Sequence, residues 1–147
     1  MKTSLAPLDA VLSTAADPHA AASRLLDRVG DLYHPPEAVL SDLRIAIDEI
    51  LTNIVSYAYR DASPHDIHLR CELRDGLLQT IVEDDGVAYN PLNAAAPDLS
   101  EAMATRRLGG LGVHFVRNLM NAVRYERVGG RNRLVLEQGL ADRRSPS

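Results

Sequence analysis

PEAVLSDLRIAIDEILTNIVSYAY, residues 36–59, carries apolar side chains at Val39, Leu40, Leu43, Ile47, Ile50, Leu51, Ile54 and Ala58. Spacings of three and four residues put them on one stripe of a helix turning about 100° per residue. The stretch therefore predicts a long core-facing helix over Pro36–Tyr59, and such a stripe needs a second layer to cover it.

Working upstream, Tyr33-His34-Pro35-Pro36 breaks the chain before this helix. A shorter helix is expected over Pro18–Val29, started by Asp17 as cap and Pro18 as first helical residue. Thr3–Leu12 reads as an edge strand. Downstream, Ile67, Leu69, Cys71 and Leu73 alternate with His68, Arg70 and Glu72, the period of a strand with one wet face. Asp75-Gly76 turns the chain into a returning strand over Leu77–Glu83. Residues 92–107 lack periodicity, are long for a loop in a compact domain, and are expected to form a lid. Val113, Val116, Leu119 and Met120 mark a third helix, and Val123–Val128 and Arg131–Glu137 flank Gly129-Gly130 as a last hairpin. The pattern predicts an α+β fold: a two-layer sandwich with helices packed on one face of a mixed, mostly antiparallel sheet. Its 147 residues match one domain of ~150, assigned to residues 1–138 with a polar tail over 139–147.

Composition removes several function classes. With 16 basic against 20 acidic residues the net charge is −4, and no basic block accompanies stacking aromatics, which speaks against nucleic acid as a partner. No apolar run approaches the ~20 residues of a membrane span, and no signal-peptide pattern opens the chain. The lone Cys71 offers neither a disulfide nor a thiolate cage, so a reducing, cytoplasmic setting is expected. Lys2 is the only lysine, so a lysine-dependent phosphate loop is absent, and handling of phosphate would fall to magnesium, arginine and backbone amides.

Three places suit chemistry. Glu49 and Asn53 lie ~40° apart on one flank of the apolar stripe, where a carboxylate and an amide oxygen one turn apart can set a base beside a hard-cation ligand. The same pair can equally satisfy nearby backbone or meet Arg60. Asp84, at the end of a buried strand, can accept from an exocyclic amine while Gly86 admits a flat ring, or Asp-Gly is simply a turn. Gly110-Leu111-Gly112 opens a helix whose free amides suit a phosphate chain, or acts as a hinge. Arg106 and Arg107 read either as lid residues reaching a triphosphate or as a solvated pair.

Taken in order, helical Glu-x-x-x-Asn, then Asp-x-Gly at a strand end, then a long loop into Gly-x-Gly and a helix, this chain resembles the ATP-binding fold shared by gyrase, mismatch-repair ATPases and histidine-kinase catalytic domains. DEILTNIVSYAYR, VEDDGVAYNP and GGLGVHFVRNLMNAVRYERVGGRNRL look most like the stand-alone bacterial anti-sigma-factor serine/threonine kinases of that superfamily. The resemblance runs over nearly the whole chain from the second helix onward. It implies ATP and magnesium as cofactors, Glu49 as general base, Asn53 as magnesium ligand, Asp84 as adenine acceptor and Gly86 as its close neighbour. Gly110 and Gly112 would give amides to the phosphates, with Arg107 near them and Asn132 near the adenine. It implies a kinase that phosphorylates a STAS-domain anti-sigma-factor antagonist, holds a sigma factor and can form a homodimer. A non-catalytic ATP-binding module that grips a partner, and a separated histidine-kinase catalytic domain, are the alternatives. The chain departs from the family where Tyr89-Asn90-Pro91 replaces Phe-Asp-Pro and where Asn121 replaces an Asp.

Overall fold

The structure, a computed structural model, describes residues 6–57, 63–88, 90 and 116–141. Strand β1 (Leu8–Ser13) is followed by helices α1 (Pro18–Tyr33) and α2 (Glu37–Tyr57), the hairpin β2 (Asp66–Arg74) and β3 (Leu77–Asp84), and the hairpin β4 (Ala122–Val128) and β5 (Arg131–Gly139). The strands form one five-stranded sheet in the order β1-β2-β3-β5-β4. All of its ladders are antiparallel, so the parallel component of the expected mixed sheet is missing among the described residues. Residues 116–119 are helical, the described part of the expected third helix. The expected lid over 92–107 lies outside the described residues.

Local chemistry accounts for the element ends. Asp17 caps α1 by accepting the Ala20 N–H at 3.1 Å, and Pro18 supplies the first helical position. The helix then runs one turn past the expected Val29. It closes where His34 turns left-handed at φ 50° and gives its N–H to the Gly30 carbonyl, so the prolines that follow stop a helix already capped. At Gly30 a Cβ would meet Leu40 Cδ2 at 3.0 Å, where α1 meets α2, so that side chain would have to shift to admit one. Asp75 and Gly76 both take positive φ, the geometry a two-residue hairpin demands, and Gly129-Gly130 repeats the device.

The core lies between the helices and one sheet face. Leu43, Ile47 and Leu51 of α2 and Ile67, Leu69, Leu78, Val82 and Leu136 of the sheet are all at most 1% exposed. Cys71 shares that face, and burial pushes its thiol up to about 12, as suits a packed side chain and not a nucleophile. The other face is laced by charge: Arg70 pairs with Asp9 at 3.4 Å, Arg124 with Glu137 at 3.3 Å, and Arg133 with Glu83 and Glu126. Among the described residues helices therefore cover one side only, as the sequence predicts. The domain runs slightly past residue 138: β5 ends at Gly139, and the Leu140 N–H bonds the Gly76 carbonyl at 2.9 Å. Among the described residues no helix is long and apolar enough to cross a membrane.

Candidate functional site

Register and helix length direct Asn53 and Asp84 toward the same end of the sheet. Near its start, α2 is pinned to the sheet by Gln138 Nε2, which donates to the Val39 carbonyl at 2.9 Å, and Gln138 lies opposite Leu78. From residue 39 to residue 53 a helix advances ~21 Å at about 1.5 Å per residue. From residue 78 to residue 84 a strand advances ~20 Å. On these lengths the C-terminal part of α2, with Glu49 and Asn53, extends toward the end of the sheet where β3 delivers Asp84 and β5 begins with Asn132 opposite it.

On α2 the helical phase separates inward from outward groups as predicted. Asp48 and Thr52 are exposed, Glu49 is half-buried and Asn53 is 6% exposed. Asn53 Oδ1 is buried with no hydrogen-bond partner among the described residues. Buried acceptors are nearly always satisfied, so an orphan here calls for a ligand that supplies the missing interaction. A hard oxygen donor of this kind fits magnesium, which prefers oxygen ligands. Glu49 has no hydrogen bond or ion pair to a described residue. Burial, and secondarily the neighbouring Asp48 carboxylate, hold its own carboxyl above the usual range. A carboxylate with a raised proton affinity and no partner among the described residues is suited to accept a proton.

At the other side of the site, the acidic pair divides. Asp85 is exposed and meets His65 at 3.3 Å, whereas Asp84 shares the phase of Leu78, Thr80 and Val82 and is 4% exposed on the helix-facing side. Asp84 Oδ1 accepts the Gly86 N–H at 2.8 Å and Asn132 Nδ2 at 3.0 Å. Both bonds fall on the same oxygen, so the carboxylate makes a turn while Oδ2 bonds no described residue. The turn and binding readings of Asp-Asp-Gly are thus compatible. Gly86 does not adopt positive φ, so what glycine supplies there is the absence of a side chain.

Asn132 sits behind Asp84. Its Nδ2 also donates to the Val87 carbonyl at 2.8 Å, and its Oδ1 accepts from Tyr125 and from Arg127 Nη1, the latter at 3.0 Å. Both amide hydrogens and both oxygen lone pairs are engaged with protein, so Asn132 orients Asp84. Arg127 and Tyr125 are participants that the sequence reading missed. The signal for them was present: a two-residue turn at Gly129-Gly130 sets Arg127 opposite Asn132, and Tyr125 lies one period back on the same face. Asn121, one of the two departures, uses Oδ1 to accept the Gly139 N–H at 2.8 Å, a bond that an Asp would make equally well. Gly110, Gly112 and Arg107, like Arg60, Tyr89 and Pro91, lie outside the described residues.

Comparison with known proteins gives the same reading. A family described as the histidine kinase-like ATPase domain matches residues 12–137. The serine/threonine-protein kinase BtrW of Bordetella bronchiseptica is 35% identical over 94 residues, covering 64% of this chain and 66% of that protein. The anti-sigma F factor of Oceanobacillus iheyensis is 23% identical over 84 residues, covering 57% and 58%. The serine-protein kinase RsbW of Bacillus subtilis is 28% identical over 113 residues, covering 74% and 68%. The chain thus spans less than two thirds of the length of the first two of these relatives. Among solved structures, the histidine kinase AdeS of Acinetobacter baumannii superposes with a TM-score of 0.50 over 91% of this chain and 68% of that one, at 11% identity. That likeness concerns the fold.

Proposed function

The chain belongs to the histidine kinase-like ATPase domain family, and on that premise we propose that it is an ATP-dependent serine/threonine protein kinase and anti-sigma factor. Its substrate in this reading is a hydroxyl on a STAS-domain anti-sigma-factor antagonist, and its second partner is a sigma factor. The names of the similar proteins, two protein kinases and an anti-sigma factor, support both halves of the proposal. Homodimerisation in the cytoplasm belongs to the same reading, supported by the outer edge of β1, which has no strand beside it among the described residues.

The resemblance supplies the roles, and the burial and bonding of Asp84, Asn53 and Glu49 support three of them. Asp84 accepts from the exocyclic amine of adenine, and Gly86 lets the ring lie close to the backbone. Gly110 and Gly112 give amide hydrogens to the phosphate chain, with Arg107 beside it. Asn53 Oδ1 would hold magnesium, which when bound screens the charge of the triphosphate. Glu49 takes the proton of the attacking hydroxyl as its oxygen bonds to the γ-phosphorus and the bond to the leaving ADP oxygen breaks. The observation that carries the proposal is a buried Asn53 Oδ1 one helical turn from Glu49, neither with a partner among the described residues.

Asn53→Ala tests it with opposite signs for binding and folding. The substitution deletes a buried acceptor with no partner, so nucleotide-free stability in denaturant should hold or rise. Affinity for ATP in magnesium should fall by about tenfold or more, toward the wild-type value in EDTA. Calorimetry giving the wild-type magnesium dependence in the variant would remove Asn53 from the site.

A further inference from the structure

We propose that Arg127 is a positioning residue that shapes the base-binding end of the site before nucleotide arrives, by tying the backbone that leaves β3 to the last hairpin. The proposal rests on the reading of Asp84 and Gly86 as the groups that meet adenine.

The chain past Asp84 needs such a tie. The β3–β5 ladder ends at the Asp84–Asn132 pair, so Asp85, Gly86 and Val87 have no strand partner among the described residues. Glycine adds to their freedom, because a residue without a Cβ can take many backbone conformations. Three hydrogen bonds nevertheless fix the segment, besides the outward pair of Asp85 with His65. Asp84 Oδ1 accepts the Gly86 N–H at 2.8 Å, Asn132 Nδ2 donates to the Val87 carbonyl at 2.8 Å, and Arg127 Nη1 donates to the Gly86 carbonyl at 2.9 Å. The first of these lies within the segment itself, and the other two cross to the last hairpin. No other described group bonds the Gly86 carbonyl.

Arg127 is well placed to hold it. Arg127, Asn132 and Asp84 are successive partners across β4, β5 and β3, so all three project on one face of the sheet. The second hydrogen of Nη1 goes to Asn132 Oδ1 at 3.0 Å, which anchors the guanidinium on β5. Among the described residues Arg127 pairs with no carboxylate that would draw it away, unlike Arg70, Arg124 and Arg133 on the other face. Gly86 is buried, so a carbonyl stripped of its donor favours an opened backbone in which water bonds it. A segment already set in its bound shape avoids the cost of ordering on binding. Without Arg127 that cost falls on the nucleotide, and affinity drops although no contact to ATP has been removed.

The experiment reads amide hydrogen exchange of the full nucleotide-free chain, then Mg-ATP affinity by calorimetry, with thermal melts as the check on folding. Arg127→Ala should speed exchange of the Gly86 amide about tenfold, as expected for loss of a charge-assisted hydrogen bond, while β2 amides and the melting temperature stay near wild type. Affinity for ATP should weaken about two- to tenfold. Arg127→Met keeps the stem, removes every donor, and should behave like the alanine variant, also serving if that variant does not fold. Tyr125→Phe takes the other donor from Asn132 Oδ1 but leaves the tie to Gly86, and should keep Gly86 exchange near the wild-type rate. Wild-type Gly86 exchange in both Arg127 variants overturns the proposal. So does equal acceleration in β2, which would mark a merely structural role, or acceleration by Tyr125→Phe as large as that by Arg127→Ala. Because exchange is read without nucleotide, it tests the tie apart from the adenine assignment. If the segment loosens but Arg127→Ala keeps wild-type ATP affinity, Asp84→Ala separates the readings. Loss of ATP in Asp84→Ala then means that the tie does not serve binding and this proposal alone fails; wild-type affinity there means that the adenine assignment fails and takes the proposal with it.

Discussion

Glu49→Gln should lower phosphoryl transfer by ~10²–10⁴ while ATP affinity stays near the wild-type value. Glutamine preserves the size of the side chain and its hydrogen-bonding reach, but a neutral amide oxygen cannot take the hydroxyl proton. Because Glu49 makes no hydrogen bond or ion pair to a described residue, the substitution breaks no such contact and folding should be unaffected. Its carboxyl lies above the usual range through burial and then through Asp48, which fixes a pH signature. The base must be ionised to work, so transfer should fall as pH drops through that raised value, with an acid limb above the ordinary carboxylate range. Asp48→Asn removes the like charge and should move the limb to lower pH; Glu49→Gln should abolish it. A rate profile with the same acid limb in wild type and Glu49→Gln would assign the proton to another group.

Asp84→Ala should weaken ATP binding ten- to hundredfold, the order expected when a buried amine of the ligand loses its only charged acceptor. The same substitution strips the Gly86 N–H and Asn132 Nδ2 of a partner, so the melting temperature should fall as well. The two effects are separable. Stability loss acts on the folded fraction, whereas at temperatures well below the melt calorimetry reads only the folded protein, where the affinity defect persists. Neighbouring Asp85→Ala provides the contrast: its side chain is turned outward to His65, and its loss should leave affinity within about twofold. Wild-type ATP affinity in Asp84→Ala would end the adenine assignment.

How much of this was legible before the fold was known depends on the range of each interaction. The stripe of α2 is a local property, and it correctly set buried Asn53 and half-buried Glu49 apart from exposed Asp48 and Thr52. The two-residue turns at Asp75-Gly76 and Gly129-Gly130 likewise set hairpin register from local geometry alone. Less legible was the end of α1, because the prolines that draw the eye follow a left-handed His34 cap by only a residue. Strand direction across β3 and β5 was also illegible, since it is set by residues 85–130, whose course the sequence does not reveal; among the described residues every ladder is antiparallel. The Asp84–Asn132 pairing is of this long-range kind. Once it is known, the local register of the last hairpin brings Tyr125 and Arg127 into the site with no further information.

The central claim is transfer of phosphate from ATP to a protein hydroxyl, and the direct measurement is incubation of the purified chain with γ-labelled ATP, magnesium and each STAS-domain protein of its own genome. The account predicts label on a serine or threonine of one such protein, lost with Glu49→Gln and with magnesium chelation. Binding of ATP and of a sigma factor without label on any STAS protein would contradict it, and would leave the chain as a partner-binding module that holds nucleotide without turning it over.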